Sequence, residues 1–246
     1  WLYRREADKL LAYERAMAAA TTASVFVSKE EANLFKQLAP ESADKVQFRT
    51  QGVDSEYFSP EQELENPYAP GQKVLVFTGA MDYWPNVEAV TWFCEHVLAD
   101  VRAREPDFLF CIVGMKPTPE VQKLGELPGV RVTGGVPDVR PYLAHAVAAC
   151  LPLQLARGIQ NKALEAMAMC LPVLATSAAL VGIIDYPGVD NRVADDPRAM
   201  VAAALELLGE TRKQNTAGRD CVLQHYNWDS NLRQLESFLT TAEAVH

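Results

Sequence analysis

Short apolar runs alternate with segments of helical pattern from residue 73 onward, and this alternation limits the possible folds more than any other feature of the sequence. Continuous apolar runs are typical of strands that are buried on both faces of a parallel sheet. Strict alternation of strand and helix predicts an α/β protein with a parallel, doubly wound sheet and right-handed crossovers. The predicted strands cover residues 74–79, 108–114, 130–134, 147–152 and 172–176.

The segments between these runs carry the period of helices that face a core. After the first run, apolar residues at positions 90, 93, 94, 97, 98 and 101 form one stripe, which predicts a buried helix surface. In such a sheet the ligand lies beyond the carboxyl ends of the strands, where the strand order reverses. Further helices are predicted over residues 118–125, 138–146, 161–169, 196–208 and 210–224, and a final amphipathic helix over 228–240.

The first fifty residues have a different pattern, with two short strands and two helices. Residues 2–20 have helical composition, and 23–27 and 46–49 are strand candidates. Ser28, followed three residues later by Glu31, is a capping box that predicts a helix start. Residues 51–72 are polar and contain several prolines, which is typical of a linker.

Composition excludes some classes of protein. The formal net charge is −9, which disfavours a nucleic-acid partner because phosphate contacts need clustered Lys and Arg. The five cysteines form no C-x-x-C pair, which favours buried free thiols over disulfides or a zinc site. No apolar run has membrane-spanning length. The chain begins without Met inside a helical pattern, so we expect a piece of a longer protein.

The segment from Arg157 to Ala168 is the most informative for function. It follows a predicted strand and opens a helix, where backbone N–H groups suit a phosphate or a sugar oxygen. Lys162 and Glu165 share one face of the first helical turn. A carboxylate there can accept hydrogen bonds from two ribose hydroxyls, and an ammonium beside it can meet a diphosphate. The helix dipole and a solvated ion pair explain the same spacing without a ligand.

This segment resembles the signature of retaining glycosyltransferase family 4, E-G-F-G-L-P-x-x-E, followed by an Ala-rich helix and P-V-(V/L)-A-T. Similar pieces occur in order along nearly the whole chain: Gly52-Val53-Asp54, Val113-Gly114, Val132 to Val136, and Tyr226-Asn227-Trp228. The Asn-Lys before the Glu also resembles the branch found in bacterial exopolysaccharide clusters. The resemblance implies a Rossmann-like C-terminal half of a GT-B fold.

The resemblance also implies a division of the chain and a set of donor-binding residues. Residues 1–50 become a remnant of the N-terminal acceptor domain, 51–72 a linker, 73–226 the donor-binding domain and 227–246 a C-terminal helix. Glu165 holds the ribose of a nucleotide-sugar donor, and the loop at Val136 holds its base. The implied donor-binding set is Gly79, Val136, Arg157, Gly158, Ile159, Gln160, Asn161, Lys162 and Glu165.

Two departures from the family pattern affect this assignment. Arg157 replaces the first Glu of the signature, and residues 79–86 lack the Arg and Lys that the family uses on the diphosphate. A diphosphate leaving group gains negative charge and needs a cation or dipoles aimed at it. We therefore expect Lys162, together with Arg157, to supply that charge from the other side of the cleft.

The resemblance implies an enzyme that transfers a sugar to a lipid-linked or polysaccharide acceptor without a cofactor or a metal. Its catalytic side chains would lie largely in the acceptor domain, which would act in cis, so this chain alone would be inactive. We expect a cytoplasmic protein that is peripheral at the membrane surface when complete. A catalytically inactive partner with the same fold and a sugar-nucleotide epimerase stay open as alternatives. An NAD-binding domain is disfavoured because only Gly79 follows the first strand.

Overall fold

The structure is a computed structural model that describes residues 1–210, 214–233 and 236. The described chain forms two compact units. The smaller comprises Trp1–Gly52 and the residues from Tyr226 onward, and the larger comprises Val53–His225. The division into an acceptor remnant, a linker and a donor domain stays a prediction.

The smaller unit contains helices α1 (Leu2–Ala20) and α2 (Lys29–Leu38) and the parallel strands β1 (Ser24–Phe26) and β2 (Val46–Phe48). The predicted capping box is present, since the Ser28 hydroxyl accepts a hydrogen bond from the Glu31 N–H at 3.1 Å. A small core of Ala18, Ala32, Phe35, Ala39 and Val46 closes this unit. Residues 228–233 and 236 are helical, and the rest of the predicted C-terminal helix lies outside the described residues.

The larger unit is the predicted doubly wound α/β structure, with a parallel sheet of six strands. The strands are β3 (Lys73–Thr78), β4 (Phe108–Val113), β5 (Val130–Val132), β6 (Ala148–Leu151), β7 (Val173–Ala175) and β8 (Asn191–Val193). The helices are α3 (Trp84–His96), α4 (Leu98–Arg104), α5 (Pro119–Leu124), α6 (Arg140–His145), α7 (Asn161–Ala168), α8 (Pro197–Gly209) and α9 (Thr216–His225).

The structure corrects three sequence-based expectations. A sixth strand, β8, lies at one edge of the sheet, where its polar residues gave no apolar run. The predicted stripe of residues 90–101 is buried, but it is divided between α3 and α4 because the backbone leaves helical geometry at Val97. Helix α9 begins at Thr216 and not near 210, since the Asn215 side chain accepts the Gly218 N–H there.

The strand order of the large sheet is β5-β4-β3-β6-β7-β8. The chain therefore proceeds outward from β3 in one direction and then outward from β6 in the other. The order reverses between β3 and β6, which pair directly through Leu75 with Ala148 and Val76 with Ala149. This pair is the switch point at which a doubly wound sheet binds its ligand.

Candidate functional site

Two loops flank the switch point at the carboxyl edge of the sheet. One follows β3 and comprises residues 79–83, and the other follows β6 and comprises residues 152–160. Helices α3 and α7 begin where these loops end. Seven of the predicted site residues, Gly79 among them, therefore lie close to one sheet edge. The other six belong to the second loop or the start of α7: Arg157, Gly158, Ile159, Gln160, Asn161 and Lys162.

The loop after β3 is fixed by close contacts with the loop after β4. The Gly79 N–H donates to the Val113 carbonyl at 3.0 Å, and the Met81 N–H donates to the Met115 carbonyl at 2.8 Å. A Cβ atom added to Gly114 would lie 1.6 Å from the Gly79 carbonyl oxygen. Only glycine therefore fits at position 114, and the two loops approach each other at backbone distance.

The loop after β6 is ordered by its own side chains. Gly158 has φ +65°, a left-handed conformation that favours glycine. The Gln160 side-chain amide donates to the carbonyl of Arg157 at 3.2 Å and to that of Gly158 at 3.4 Å. Ile159 is buried, so its side chain serves packing, and a ligand would meet its backbone. The chain enters α7 directly after this turn.

The Lys162 side chain extends from α7 across the switch point toward β3. Its Nζ donates to the Asn86 Oδ1 at 2.6 Å and lies 4.7 Å from the centroid of the Phe77 ring. It also lies 3.4 Å from the place where a Cβ of Gly79 would be. Burial lowers the pKa of Lys162 to about 8, an effect that Glu165 partly offsets. Lys162, the cation predicted from the sequence, therefore lies beside the loop after β3, which has no Arg or Lys of its own.

Glu165 is half-buried and lies one helical turn beyond Lys162. Burial raises the pKa of its carboxyl group, and the positive charge of Lys162 acts in the opposite direction. The Lys162 ammonium donates to Asn86, and no hydrogen bond or ion pair between it and the Glu165 carboxylate is found in the part of the chain that the structure describes. Glu165 thus keeps the solvent access that binding of a sugar hydroxyl requires.

Arg157 and Val136 make no described contact with Lys162 or Glu165. Arg157 is exposed, and no ion pair of its guanidinium is found within residues 1–210, 214–233 and 236. Its predicted role beside Lys162 therefore rests on no contact and stays a prediction. Val136 lies half-buried after β5, two strands away from β3. That loop joins the same edge through the Gly114 N–H, which donates to the Gly134 carbonyl at 3.2 Å.

The sequence reasoning missed two polar residues at this edge. Asn86 is 4% exposed and contacts Lys162 from the first turn of α3. Lys116, in the loop after β4, has φ +53° and places its Nζ 3.4 Å from the Asp82 Oδ2. The only signal for Lys116 was its place directly after a strand, and the contact of Asn86 had no signal in the sequence.

Other features of the described chain point away from this edge. Burial raises the pKa of all five thiols, which are free as predicted, and so lowers their reactivity. A cavity of about 700 Å³ lined by Glu63, His145 and Met169 contains none of the predicted site residues.

The described residues contain neither a candidate metal cluster nor a candidate membrane-spanning helix. Within that part of the chain, no three or more His, Cys, Asp or Glu side chains are arranged to hold a metal ion. None of the helices there combines the length and apolar character needed to cross a membrane.

Solved structures with the same fold are numerous. A glycosyltransferase from Rickettsia africae ESF-5 has a TM-score of 0.72 at 16% identity, covering 94% of this chain and 66% of that one. Sucrose-phosphate synthase from Thermosynechococcus elongatus has a TM-score of 0.74 at 16% identity, covering 97% and 63%. Anabaena Alr3699/HepE in complex with UDP and glucose has a TM-score of 0.67 at 14% identity, covering 89% and 63%. The chain thus spans less than two thirds of the length of each of these three structures.

Sequence comparison gives the family. No curated protein sequence matches the chain. The family of glycosyl transferases group 1 matches residues 72–210, which include all the predicted site residues. This match covers more than half of the chain, and the sheet has the fold of GT-B glycosyltransferase domains. The chain belongs to the family of glycosyl transferases group 1.

Proposed function

We propose that this chain is the donor-binding part of a retaining glycosyltransferase of family 4. The parent protein would transfer a sugar from a nucleotide-sugar donor to a lipid-linked or polysaccharide acceptor, as in the exopolysaccharide branch. It would act in the cytoplasm at the membrane surface, without a metal or a cofactor. The observation that carries the proposal is the Lys162 ammonium at the switch point, 2.6 Å from Asn86 and one turn before Glu165.

The chemistry of the site fits a nucleoside diphosphate that carries a sugar. Lys162 offers a positive charge in a partly dehydrated place, where its attraction for a diphosphate is stronger than in water. Glu165 offers a carboxylate that can accept two hydroxyl hydrogen bonds from a ribose. The similar structure of Anabaena Alr3699/HepE contains UDP, which supports the same ligand class for this chain.

In this proposal each group of residues binds a different part of the nucleotide-sugar donor. The backbone at Gly158, Ile159, Gln160 and Asn161 meets the sugar and the diphosphate, and Gly79 keeps the opposite loop close. The loop at Val136 holds the base through main-chain atoms. Lys162, with help from Arg157, stabilises the charge that develops on the departing diphosphate. The acceptor domain closes the cleft in cis and supplies further catalytic groups.

Calorimetric titration of this chain with UDP, GDP and dTDP tests the proposal. We expect weak, saturable binding of at least one of these nucleotides. Absence of binding to all three would overturn the donor-binding role. We also expect no sugar transfer by this chain alone, and measurable transfer from a nucleotide-sugar would contradict that expectation.

One observation favours a second candidate function. Arg157 stands where the family signature has a Glu, and it is exposed. Loss of that carboxylate fits a catalytically inactive partner that retains the fold. Assays of the parent protein with the donor that binds best would separate the two. Sugar transfer supports the enzyme, whereas binding without transfer supports the inactive partner.

A further inference from the structure

Asn86 joins the two sides of the switch point. It lies in the first turn of α3 and is 4% exposed. Its Oδ1 accepts from the Lys162 Nζ at 2.6 Å, and its Nδ2 donates to the Ala80 carbonyl at 2.9 Å. The direction of the amide is fixed by chemistry, because an ammonium can only donate and a carbonyl can only accept.

The surroundings of Asn86 are closely packed. A Cβ atom on Gly79 would lie 2.7 Å from the Asn86 Nδ2, so the glycine makes room for this side chain. The Phe77 ring, with its centroid 4.7 Å from the Lys162 Nζ, bounds the ammonium on the strand side. Lys162 is thus held by one neutral acceptor and one aromatic face.

A neutral acceptor has a consequence that a carboxylate would not have. It accepts a hydrogen bond from one of the three ammonium N–H groups and leaves the positive charge in place. Glu165, on the same helix, is the charged group that shifts the pKa of Lys162, and the groups that face the ammonium from α3 and β3, Asn86 and Phe77, are uncharged. The charge therefore stays available to an anion that enters from the open edge.

We propose that Asn86 is a positioning residue that aims the Lys162 ammonium across the switch point and keeps its charge free for the diphosphate of the donor. This inference rests on the proposed function for the identity of the anion. Asn86 itself need not touch the ligand, because it acts through Lys162.

Two substitutions of similar size separate positioning from simple packing. Asn86→Asp keeps the acceptor, loses the N–H that donates to the Ala80 carbonyl, and adds a negative charge beside Lys162. The ammonium charge is then paired and no longer free for an anion, and its pKa rises. Asn86→Leu removes the acceptor and makes the surroundings more apolar, so the pKa falls below about 8. Asn33→Asp, at an exposed position of α2, makes the same chemical change as a control.

The measurement is the Kd of the nucleotide diphosphate that binds best, between about pH 6.5 and pH 9. At neutral pH we expect Asn86→Asp to bind roughly tenfold more weakly than the unaltered chain. The alkaline loss of binding should move to higher pH in Asn86→Asp and to lower pH in Asn86→Leu. Asn33→Asp should leave both the Kd and the pH profile unchanged. Pure packing damage would instead weaken binding without opposite shifts of the profile, and that result would overturn the inference.

NMR titration of ¹³Cε-labelled lysine keeps the inference testable if no nucleotide binds. It reports the pKa of Lys162 in the folded chain without any ligand. Opposite shifts in the two Asn86 variants support positioning even when the proposed function fails. An unchanged Lys162 pKa in both variants, each shown to be folded by circular dichroism, refutes it.

Discussion

The two loops that meet at the switch point differ in what they contribute. The loop after β3 has no cation, and its path is set by backbone contacts and by glycines that admit no side chain. The loop after β6 and the start of α7 carry the charged residues Arg157, Lys162 and Glu165. The loop after β3 therefore contributes a fixed backbone conformation, whereas the loop after β6 and the start of α7 contribute the charged side chains. If the proposed function holds, this division would let the β3 loop lack the basic residues that the family resemblance implies there.

Substitution of Gly114 should have the largest effect, because it directly disturbs the close backbone contact that fixes the loop after β3. In Gly114→Ala the new methyl group would lie 1.6 Å from the Gly79 carbonyl oxygen, so the two loops must separate. We expect the free energy of unfolding to fall by about 3 kcal/mol. Urea denaturation followed by circular dichroism measures it.

Gly135→Ala is the matched control for this substitution. Its added methyl group would meet its nearest neighbour, the Met115 Cβ, at 3.6 Å, which is an ordinary contact. We expect a change within about 0.5 kcal/mol. Equal denaturation midpoints for the two variants would show that the loops are not fixed as described.

Removal of the Lys162 ammonium tests the contribution of the charged side chains at the start of α7. Lys162→Met keeps the apolar stem beside Phe77 and deletes the ammonium, so packing is largely preserved. A charge-assisted hydrogen bond contributes about 1.5–3 kcal/mol, which corresponds to roughly a 10- to 100-fold increase in Kd for the diphosphate. Arg157→Met, at an exposed position, should raise Kd by less than about threefold. Equal effects of the two substitutions would contradict the distinction between the half-buried Lys162 and the exposed Arg157.

Glu165 sharpens the comparison further, because its predicted partner is the ribose and not the diphosphate. We expect UDP to bind roughly five- to tenfold more tightly than dUDP, which lacks one hydroxyl that the carboxylate can accept. Glu165→Gln should reduce that preference and weaken UDP binding by a similar factor. Calorimetry with both nucleotides gives the four Kd values. An unchanged preference in the variant would place Glu165 outside the ribose site.

The sequence predicted the buried parts of the fold well, for a physical reason. Strands such as β3 and β4 are covered on both faces, so their residues are continuously apolar and can be recognised. Strand β8 is polar and lies at the edge, where Arg192 is held by Asp190, Glu206 and Glu210. The pairs with Glu206 and Glu210 join residues 14 and 18 positions apart, and none of these ion pairs leaves a periodic pattern.

The same distinction applies to the site. Glu165 and Lys162 were predicted together because residues three apart share a helix face. The contact of Lys162 with Asn86 joins residues 76 positions apart and depends on which strands are neighbours. Sequence spacing cannot supply that information, since the order β3-β6 arises only when the chain reverses its direction of winding.

The pH dependence of stability is the smallest effect and tests the burial of Lys162 without a ligand. Its pKa in the folded chain is about 8, below its ordinary value of 10.5. Between these values the unfolded chain binds more protons than the folded one, so the contribution of Lys162 to stability rises with pH. Because the side chain is half-exposed, we expect a gain well under about 1 kcal/mol between pH 7.5 and pH 9.5. Urea denaturation at both pH values should show this gain in the unaltered chain and not in Lys162→Met. A gain of equal size in the variant would assign it to other groups, and the ammonium would then be as hydrated as an ordinary surface lysine.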